Sequence, residues 1–158
     1  MASPFRVLFV CMGNICRSPA GECTLRHLIA EAEEEHLWQI DSAGTIGMHS
    51  GNSPDSRMRM AGKNRGLQIS GAARQVKRDD LDDFDLILAM DEDNLADLKS
   101  LGPEWEETDK VKLFRSFCPE FGEGDVPDPY YGGSDGFELV LDMMEEGCRE
   151  IIAHARNQ

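Results

Sequence analysis

The chain has 158 residues, 41% of them hydrophobic, enough for one domain (residues 1–158) with a buried core and too many for general disorder. Its 16 Lys and Arg against 30 Asp and Glu leave a net charge of −14, which argues against binding nucleic acid or an anionic membrane surface. No apolar run approaches the roughly 20 residues of a membrane span, so membrane insertion is not expected.

The hydrophobic pattern alternates between strands and helices along the chain. Short apolar runs predict strands at 5–10, 38–43, 84–90 and 111–114. Helical spacing predicts a helix that opens at Ser18-Pro19 and further helices at 57–64, 91–101 and 137–155. This alternation predicts an α/β fold, an open parallel sheet of about four strands with helices on both faces. In such sheets ligands bind beyond the carboxyl ends of the strands.

The segment that follows the first strand reads Cys11 to Ser18, CMGNICRS. Gly13 and Asn14 are residue types that tolerate the backbone angles of a tight curl. Such a loop turns its N–H groups inward, and the following helix adds its positive dipole end. The Arg17 guanidinium can grip two phosphate oxygens. The segment therefore predicts a phosphate-binding loop, here called the phosphate cradle. An acidic protein needs such a local source of positive charge to bind a phosphorylated ligand.

The same surroundings act on Cys11. Inward N–H groups, a helix N-terminus and a guanidinium all favour a thiolate over a thiol. Ser18 is placed to hydrogen-bond the sulfur. A thiolate that faces a phosphate cradle predicts nucleophilic attack on phosphorus.

The other cysteines indicate a compartment rather than a further site. An odd count of five without a secretion signal favours the reducing cytoplasm. There is no C-x-x-C pair and no zinc-finger spacing, so no metal or other cofactor is expected. Cys23 and Cys148 fall on apolar helical faces and are expected in the core, whereas no role is assigned to Cys118.

Charge is unevenly spread along the chain. Residues 56–78 hold seven basic residues and no acidic one. One interpretation is a solvated helix followed by a loop. The other is a local face that steers an anion or an acidic partner.

The run VLFVCMGNICRSP resembles the signature of the low-molecular-weight protein tyrosine phosphatases. Five further segments resemble that family in the same order: DSAGT at 41–45, SPD at 53–55, ARQV at 73–76, LILAMDEDNLADL at 86–98 and DPYYGG at 128–133. The resemblance covers nearly the whole chain. It implies phosphotyrosine hydrolysis through a cysteinyl phosphate.

The resemblance implies three catalytic roles. Cys11 is the nucleophile, Arg17 binds the phosphoryl oxygens, and Asp128 is the general acid and base. A leaving phenolate needs a proton, and the intermediate later needs a base that activates water, so one carboxyl can serve both steps. Because Asp128 must be protonated in the first step, an acidic pH optimum is expected.

The resemblance also implies supporting residues. Those that bind phosphate or hold the loop are Met12, Gly13, Asn14, Ile15, Cys16, Ser18 and Ser42. The wall of the substrate pocket would be formed by Met48, Tyr130 and Tyr131. Many family members carry Trp or Tyr at the position of Met48, and a thioether does not stack as a ring does. Cys16 is expected to form a disulfide with Cys11 under oxidation and so to protect it.

Three alternatives differ in class. Arsenate reductases of this fold add a redox cysteine pair near the third strand, which this sequence lacks. Protein-arginine phosphatases carry Thr where this chain has Ile15, so Ile15 favours an aromatic phosphoester. A non-catalytic phosphoprotein-binding module would not need Cys11, Arg17 and Asp128 together. The expected partner is a phosphotyrosine protein, a tyrosine kinase or its substrate.

Overall fold

The structure is a computed structural model that describes residues 3–102, 109–122, 124–130 and 132–157. Four parallel strands form one sheet in the order β2-β1-β3-β4. The strands are β1 (Phe5–Cys11), β2 (Trp38–Gly44), β3 (Leu86–Ala89) and β4 (Val111–Leu113). The predicted open parallel sheet is therefore confirmed.

In the described part of the chain, five α-helices surround the sheet: α1 (Arg17–Glu31), α2 (Ser56–Lys63), α3 (Arg78–Asp83), α4 (Glu92–Leu101) and α5 (Ser134–Arg156). Short 3₁₀ helices occupy Glu35–Leu37, Phe114–Phe117 and Pro119–Phe121. Among the described residues, no helix has the length and apolar character needed to cross a bilayer.

Alternate side chains of β1 pack into two separate hydrophobic cores, one on each face of the sheet. Phe9 packs on the α1 and α5 side, where its ring lies 6.1 Å from that of Phe114. Leu8 and Val10 point to the opposite face and pack with residues of α3 and α4. Burial of one such side chain stabilises the fold by roughly 1.5–3 kcal/mol. Helices therefore cover both faces of the sheet, as the alternation of strands and helices predicted.

Gly21 allows α1 to lie close to β1. A Cβ at this position would stand 2.6 Å from a ring carbon of Phe9, closer than carbon atoms pack. The absence of a side chain lets the helix that begins at the phosphate loop rest directly on the strand that carries Cys11.

Several element boundaries differ from the prediction by one to three residues. Helix α1 begins at Arg17, and the hydroxyl of Ser18 is not its cap because it is hydrogen-bonded inside the loop. The third strand begins at Leu86 because the chain just before it forms α3, which was not predicted. Helix α5 begins at Ser134 and is 23 residues long.

The carboxyl ends of β1, β2 and β3 meet at one edge of the sheet. Cys11 is the last residue of β1 and pairs with Gly44, the last residue of β2. Met90 follows β3, and its N–H donates to the carbonyl of Val10 at 3.1 Å. The segments after these three strands are thus brought together where a parallel sheet presents its ligand site.

Candidate active site

The loop between β1 and α1 is held from both sides by backbone hydrogen bonds. The N–H groups of Thr45 and Ile46, which follow β2, donate to the carbonyls of Cys11 and Met12 at 2.9 and 3.1 Å. The N–H of Asp55 donates to the carbonyl of Ile15 at 2.7 Å. These bonds fix the loop carbonyls on its outside.

Gly44 is required at the point where β2 passes this loop. A Cβ there would lie 2.7 Å from the carbonyl oxygen of Met12 and 3.1 Å from the nitrogen of Asn14. Both neighbours are backbone atoms that cannot rotate away. Any larger residue would push the loop away from β2.

Asn14 forms the hub of the hydrogen bonds behind the loop. Its backbone is left-handed, with φ of 58°, and its side chain is buried. The side-chain oxygen accepts from the N–H of Arg74 at 2.9 Å, and Nδ2 donates to the hydroxyls of Ser18 at 2.7 Å and Ser42 at 3.0 Å. The Ser42 hydroxyl in turn donates to Glu22 at 2.5 Å. The predicted roles of Asn14 and Ser42 in holding the loop therefore have a defined geometry.

The sulfur of Cys11 is buried at the bottom of the loop. It accepts from the N–H of Asn14 at 3.3 Å and lies 3.0 Å from the hydroxyl of Ser18. Because Ser18 already accepts from Asn14, its own proton can be donated to the sulfur. Both contacts stabilise negative charge on Cys11.

Arg17 is buried between carboxylates that come from two other parts of the chain. Its NH1 donates to Asp91 Oδ2 at 2.7 Å and to the carbonyl of Val126 at 3.1 Å, and its NH2 lies 3.5 Å from Asp128 Oδ2. Burial alone would lower the pKa of Arg17, but the negative charge of Cys11, the hydrogen bond to Asp91 and the charge of Asp128 raise it above its ordinary value. The guanidinium is therefore a permanent cation with a fixed orientation.

Asp128 lies on the loop before α5 and reaches the same place. Its side chain is 34% exposed, and its Oδ1 accepts from the N–H of Tyr130 at 3.0 Å. A partly exposed carboxyl beside the cradle can exchange protons with water and with a bound group.

One cavity of about 330 Å³ opens over the loop. The predicted site residues that line it are Cys11, Met12, Gly13, Ile15, Cys16, Arg17, Met48, Asp128 and Tyr130, together with Ile46 and His49, which were not predicted. Asn14, Ser18 and Ser42 lie behind the loop and support it. The side chain of Met48 is 78% exposed. Tyr131 lies outside the described residues.

The structure adds three functional residues to the predicted set. Asp91 caps α4 through one carboxylate oxygen and holds Arg17 through the other. Glu22 orients Ser42, and the backbone of Arg74 orients Asn14. Only Asp91 carried a usable signal, because an acidic residue directly after a buried parallel strand lies at the ligand edge of the sheet.

All five cysteines are free thiols, and all are buried. Burial, followed by the charges of Asp55 and Cys11, raises the pKa of Cys16 to about 12. Burial also raises the pKa values of the core cysteines Cys23, Cys118 and Cys148. Cys16 and the core cysteines therefore remain protonated at neutral pH.

Several arginines of the basic segment are paired with acidic residues. Arg57 pairs with Asp55. Arg65 pairs with three acids of α5, Glu138, Asp142 and Glu145. Arg74 pairs with Asp41 and Asp80. These pairs reduce the positive field that the segment could present to an anion.

The sequence and the fold both match known proteins. The family model described as low molecular weight phosphotyrosine protein phosphatase matches residues 6–158. A low molecular weight protein-tyrosine-phosphatase of Streptomyces coelicolor is 42% identical over 156 residues, which are 98% of this chain and 95% of that protein.

Two solved structures extend the comparison. A protein tyrosine phosphatase from Entamoeba histolytica has a TM-score of 0.92 and 41% identity and covers 97% of each chain. An arginine phosphatase of Drosophila has a TM-score of 0.86 and 33% identity, covering 94% of this chain and 96% of that one. With the match to the family model, these similarities show that the chain belongs to the low molecular weight phosphotyrosine protein phosphatase family.

Proposed function

We propose that the protein hydrolyses phosphotyrosine in proteins through a cysteinyl phosphate, and that residues 1–158 form one phosphatase domain. A single observation carries the proposal. Cys11, Arg17 and Asp128, which come from opposite ends of the chain, line one cavity at the edge of the sheet. A nucleophile, a cation and a proton donor on one cavity are the groups that phosphoryl transfer to a thiolate needs.

In the first step the Cys11 thiolate attacks phosphorus. An S–P bond forms while the bond from phosphorus to the phenolic oxygen breaks, and the electron pair leaves with the phenolic oxygen. Asp128 donates its proton to that oxygen as the bond breaks. Arg17 and the inward N–H groups of the loop stabilise the charge on the equatorial oxygens.

In the second step water hydrolyses the cysteinyl phosphate. Asp128, now a carboxylate, accepts a proton from the attacking water, and the S–P bond breaks to release phosphate. The Cys11 thiolate leaves, stabilised by the Asn14 N–H and the Ser18 hydroxyl. The steps use side chains and backbone N–H groups of this chain, together with water.

The loop residues supply the phosphate cradle. We assign phosphate binding to the backbone N–H groups of the loop. The residues that form or support the loop are Met12, Gly13, Asn14, Ile15, Cys16, Ser18 and Ser42. The contacts of Asn14 with Ser18 and Ser42 support this assignment, because they hold the left-handed turn of the loop from behind.

The wall of the pocket sets the substrate. We assign Met48 and Tyr130 to this wall, and Tyr130, which is 38% exposed, offers a ring on which the substrate ring can stack. Met48 offers a flexible thioether instead of a ring. The partner would be a cytoplasmic phosphotyrosine protein, a tyrosine kinase or its substrate.

Hydrolysis of phosphoarginine in proteins is the second candidate. The similarity to the arginine phosphatase of Drosophila supports it. Against it stands Ile15, whose apolar side chain lines the cavity and favours an aromatic ring over a guanidinium group.

Hydrolysis of a phosphotyrosine peptide beside a phosphoarginine peptide, without added metal and from acidic to neutral pH, distinguishes the candidates. We expect turnover of phosphotyrosine with an acidic optimum. Turnover of phosphoarginine alone would keep the chemistry and replace the substrate class. Tight phosphate binding without turnover of either peptide would identify a binding module instead.

We also propose that Cys16 protects the nucleophile. Peroxide would oxidise the Cys11 thiolate to a sulfenic acid, and the Cys16 thiol would condense with it, forming an S–S bond and releasing water. Because the pKa of Cys16 is raised to about 12, this closure accelerates as pH rises and the thiolate fraction grows.

Replacement of Cys16 by serine is expected to make peroxide inactivation largely irreversible, because Cys11 then proceeds to sulfinic acid. The parent protein and Cys23→Ser, which changes a core cysteine, should regain activity with dithiothreitol. Mass spectrometry of the oxidised protein checks the disulfide. If Cys16→Ser recovers as fully as the parent, Cys16 has no protective role.

A further inference from the structure

The phosphate loop carries Cys11, and the loop before α5 carries Asp128. Contacts between these two segments must hold Asp128 close to the bound phosphoryl group. One direct contact is the 3.5 Å approach of Arg17 to Asp128. A second route runs along the outside of the cavity through Arg57, the first arginine of the basic segment. This residue is not among the residues that line the catalytic cavity.

The route begins at Asp55, which is bound to the phosphate loop. Its N–H donates to the Ile15 carbonyl at 2.7 Å. Its carboxylate is 10% exposed and caps α2 by accepting the N–H of Arg57 at 2.8 Å. The two carboxylate oxygens also accept from Arg57 Nε at 3.1 Å and NH2 at 2.9 Å. This paired contact fixes the plane of the guanidinium.

The guanidinium of Arg57 then lies between two aromatic rings. Its Cζ is 5.2 Å from the centroid of Tyr130 and 4.8 Å from that of Phe137. Both distances are within the range of cation–π attraction. Phe137 belongs to the core under α5 and is 2% exposed, so it provides a rigid support behind the arginine.

The route ends at Asp128. Tyr130 donates its N–H to Asp128 Oδ1 at 3.0 Å, and Pro129 between them is buried. A displacement of the Tyr130 ring therefore moves the backbone group that orients the carboxyl of Asp128.

We propose that Arg57, anchored by Asp55, is a positioning residue that sets Asp128 and Tyr130 relative to the phosphate loop. The proposal rests on the proposed function of Asp128 as the general acid. Arg57 does not line the catalytic cavity, and it acts through Tyr130, which does.

A misplaced general acid lowers the rate more for a substrate with a poor leaving group than for one with a good leaving group. General damage to the structure lowers both rates alike. A good leaving group such as p-nitrophenolate departs with little protonation, whereas the tyrosine phenolate needs the proton. In Arg57→Met, kcat/KM for a phosphotyrosine peptide should therefore fall about tenfold, and that for p-nitrophenyl phosphate less than about threefold. Arg57→Lys keeps the cation but loses the planar fork, so its losses should be intermediate.

The matched control is Arg59→Met. Arg59 lies two residues further along α2 and donates to the Pro54 carbonyl at 3.0 Å. Its replacement should leave both substrates unchanged. Equal losses on the two substrates in Arg57→Met and Arg57→Lys would overturn the proposal. If Arg57→Met does not fold, the test rests on Arg57→Lys. Unequal losses of kcat/KM on the two substrates would then support the proposal, and equal losses would overturn it.

Amide hydrogen exchange separates this proposal from the proposed function. The N–H of Tyr130 should exchange faster in Arg57→Met and Arg57→Lys than in the parent and in Arg59→Met, whether or not the protein turns over substrate. Unchanged exchange in both Arg57 variants would overturn the positioning role. If the parent lacks phosphatase activity but its Arg57 variants show the faster exchange, the proposed function is overturned. The contact between Arg57 and Tyr130 is then still supported.

Discussion

Replacement of Cys11 by serine is expected to lower kcat for a phosphotyrosine peptide by about 10⁴-fold or more. A serine hydroxyl is a far weaker acid than a thiol, so the variant lacks the thiolate that attacks phosphorus in the proposed mechanism. Steady-state kinetics measure the loss. Calorimetry should show that the variant still binds phosphate, because Arg17 and the loop backbone remain.

The matched control changes a different buried cysteine in the same way. Cys23 lies on α1, and its sulfur donates to the carbonyl of Ser70 at 3.6 Å, which a serine hydroxyl can also reach. Cys23→Ser should therefore keep near-parental activity. Acid quenching during turnover of the parent should trap phosphate on Cys11. Turnover in Cys11→Ser above about one per cent of the parent rate would contradict a covalent role for Cys11.

Replacement of Asp128 by asparagine is expected to lower kcat/KM for phosphotyrosine by about 10²–10³-fold, the usual contribution of a general acid. Asparagine keeps the size of the side chain and its ability to accept the Tyr130 N–H, but it cannot donate the required proton. The decline of kcat/KM at higher pH that a general acid imposes should disappear in the variant. A pH series of kcat/KM for both proteins is the measurement.

The leaving group supplies the control for Asp128→Asn. With p-nitrophenyl phosphate, kcat/KM should fall far less than with phosphotyrosine, because p-nitrophenolate is a weak base. The cysteinyl phosphate should accumulate, since the variant also lacks the base that activates water. A loss of the same size for both substrates would show that Asp128 does not act as the proton donor.

The protein carries a large negative charge, although its proposed ligand is an anion. Local groups at the site supply the positive charge that this ligand needs. The whole chain carries a net charge of −14, and Arg17 is itself bordered by Asp91 and Asp128. These two carboxylates hold the guanidinium in place. The N–H groups of the loop add partial positive charge, which the net charge of the side chains does not include. We therefore expect phosphate affinity to depend on the backbone N–H groups of the loop and on Arg17 rather than on the net charge of the chain.

Local patterns were sufficient for the order of the elements and failed at their ends. Four strands and four helices were predicted because each has an apolar periodicity of its own. The short helix α3 (Arg78–Asp83) was missed because only Asp80 and Leu81 are buried on it, too few for a periodic signal. The first helix was predicted to open at Ser18-Pro19 because Ser-Pro is a common helix start. It begins at Arg17, and the loop uses the Ser18 hydroxyl for Asn14 and Cys11.

The α/β order, the phosphate loop and the family resemblance could be predicted from the amino-acid sequence, because the residues that encode them are adjacent in the chain. The contacts between side chains that are distant in the sequence became known only from the fold. Asp91 holds Arg17, Glu22 orients Ser42, and Arg57 lies against Tyr130. These contacts join segments brought together by the parallel sheet and by the packing of α2 against α5. A charged residue at such a position has the same local pattern as one on a solvated surface, so its partner becomes visible only when the fold is known.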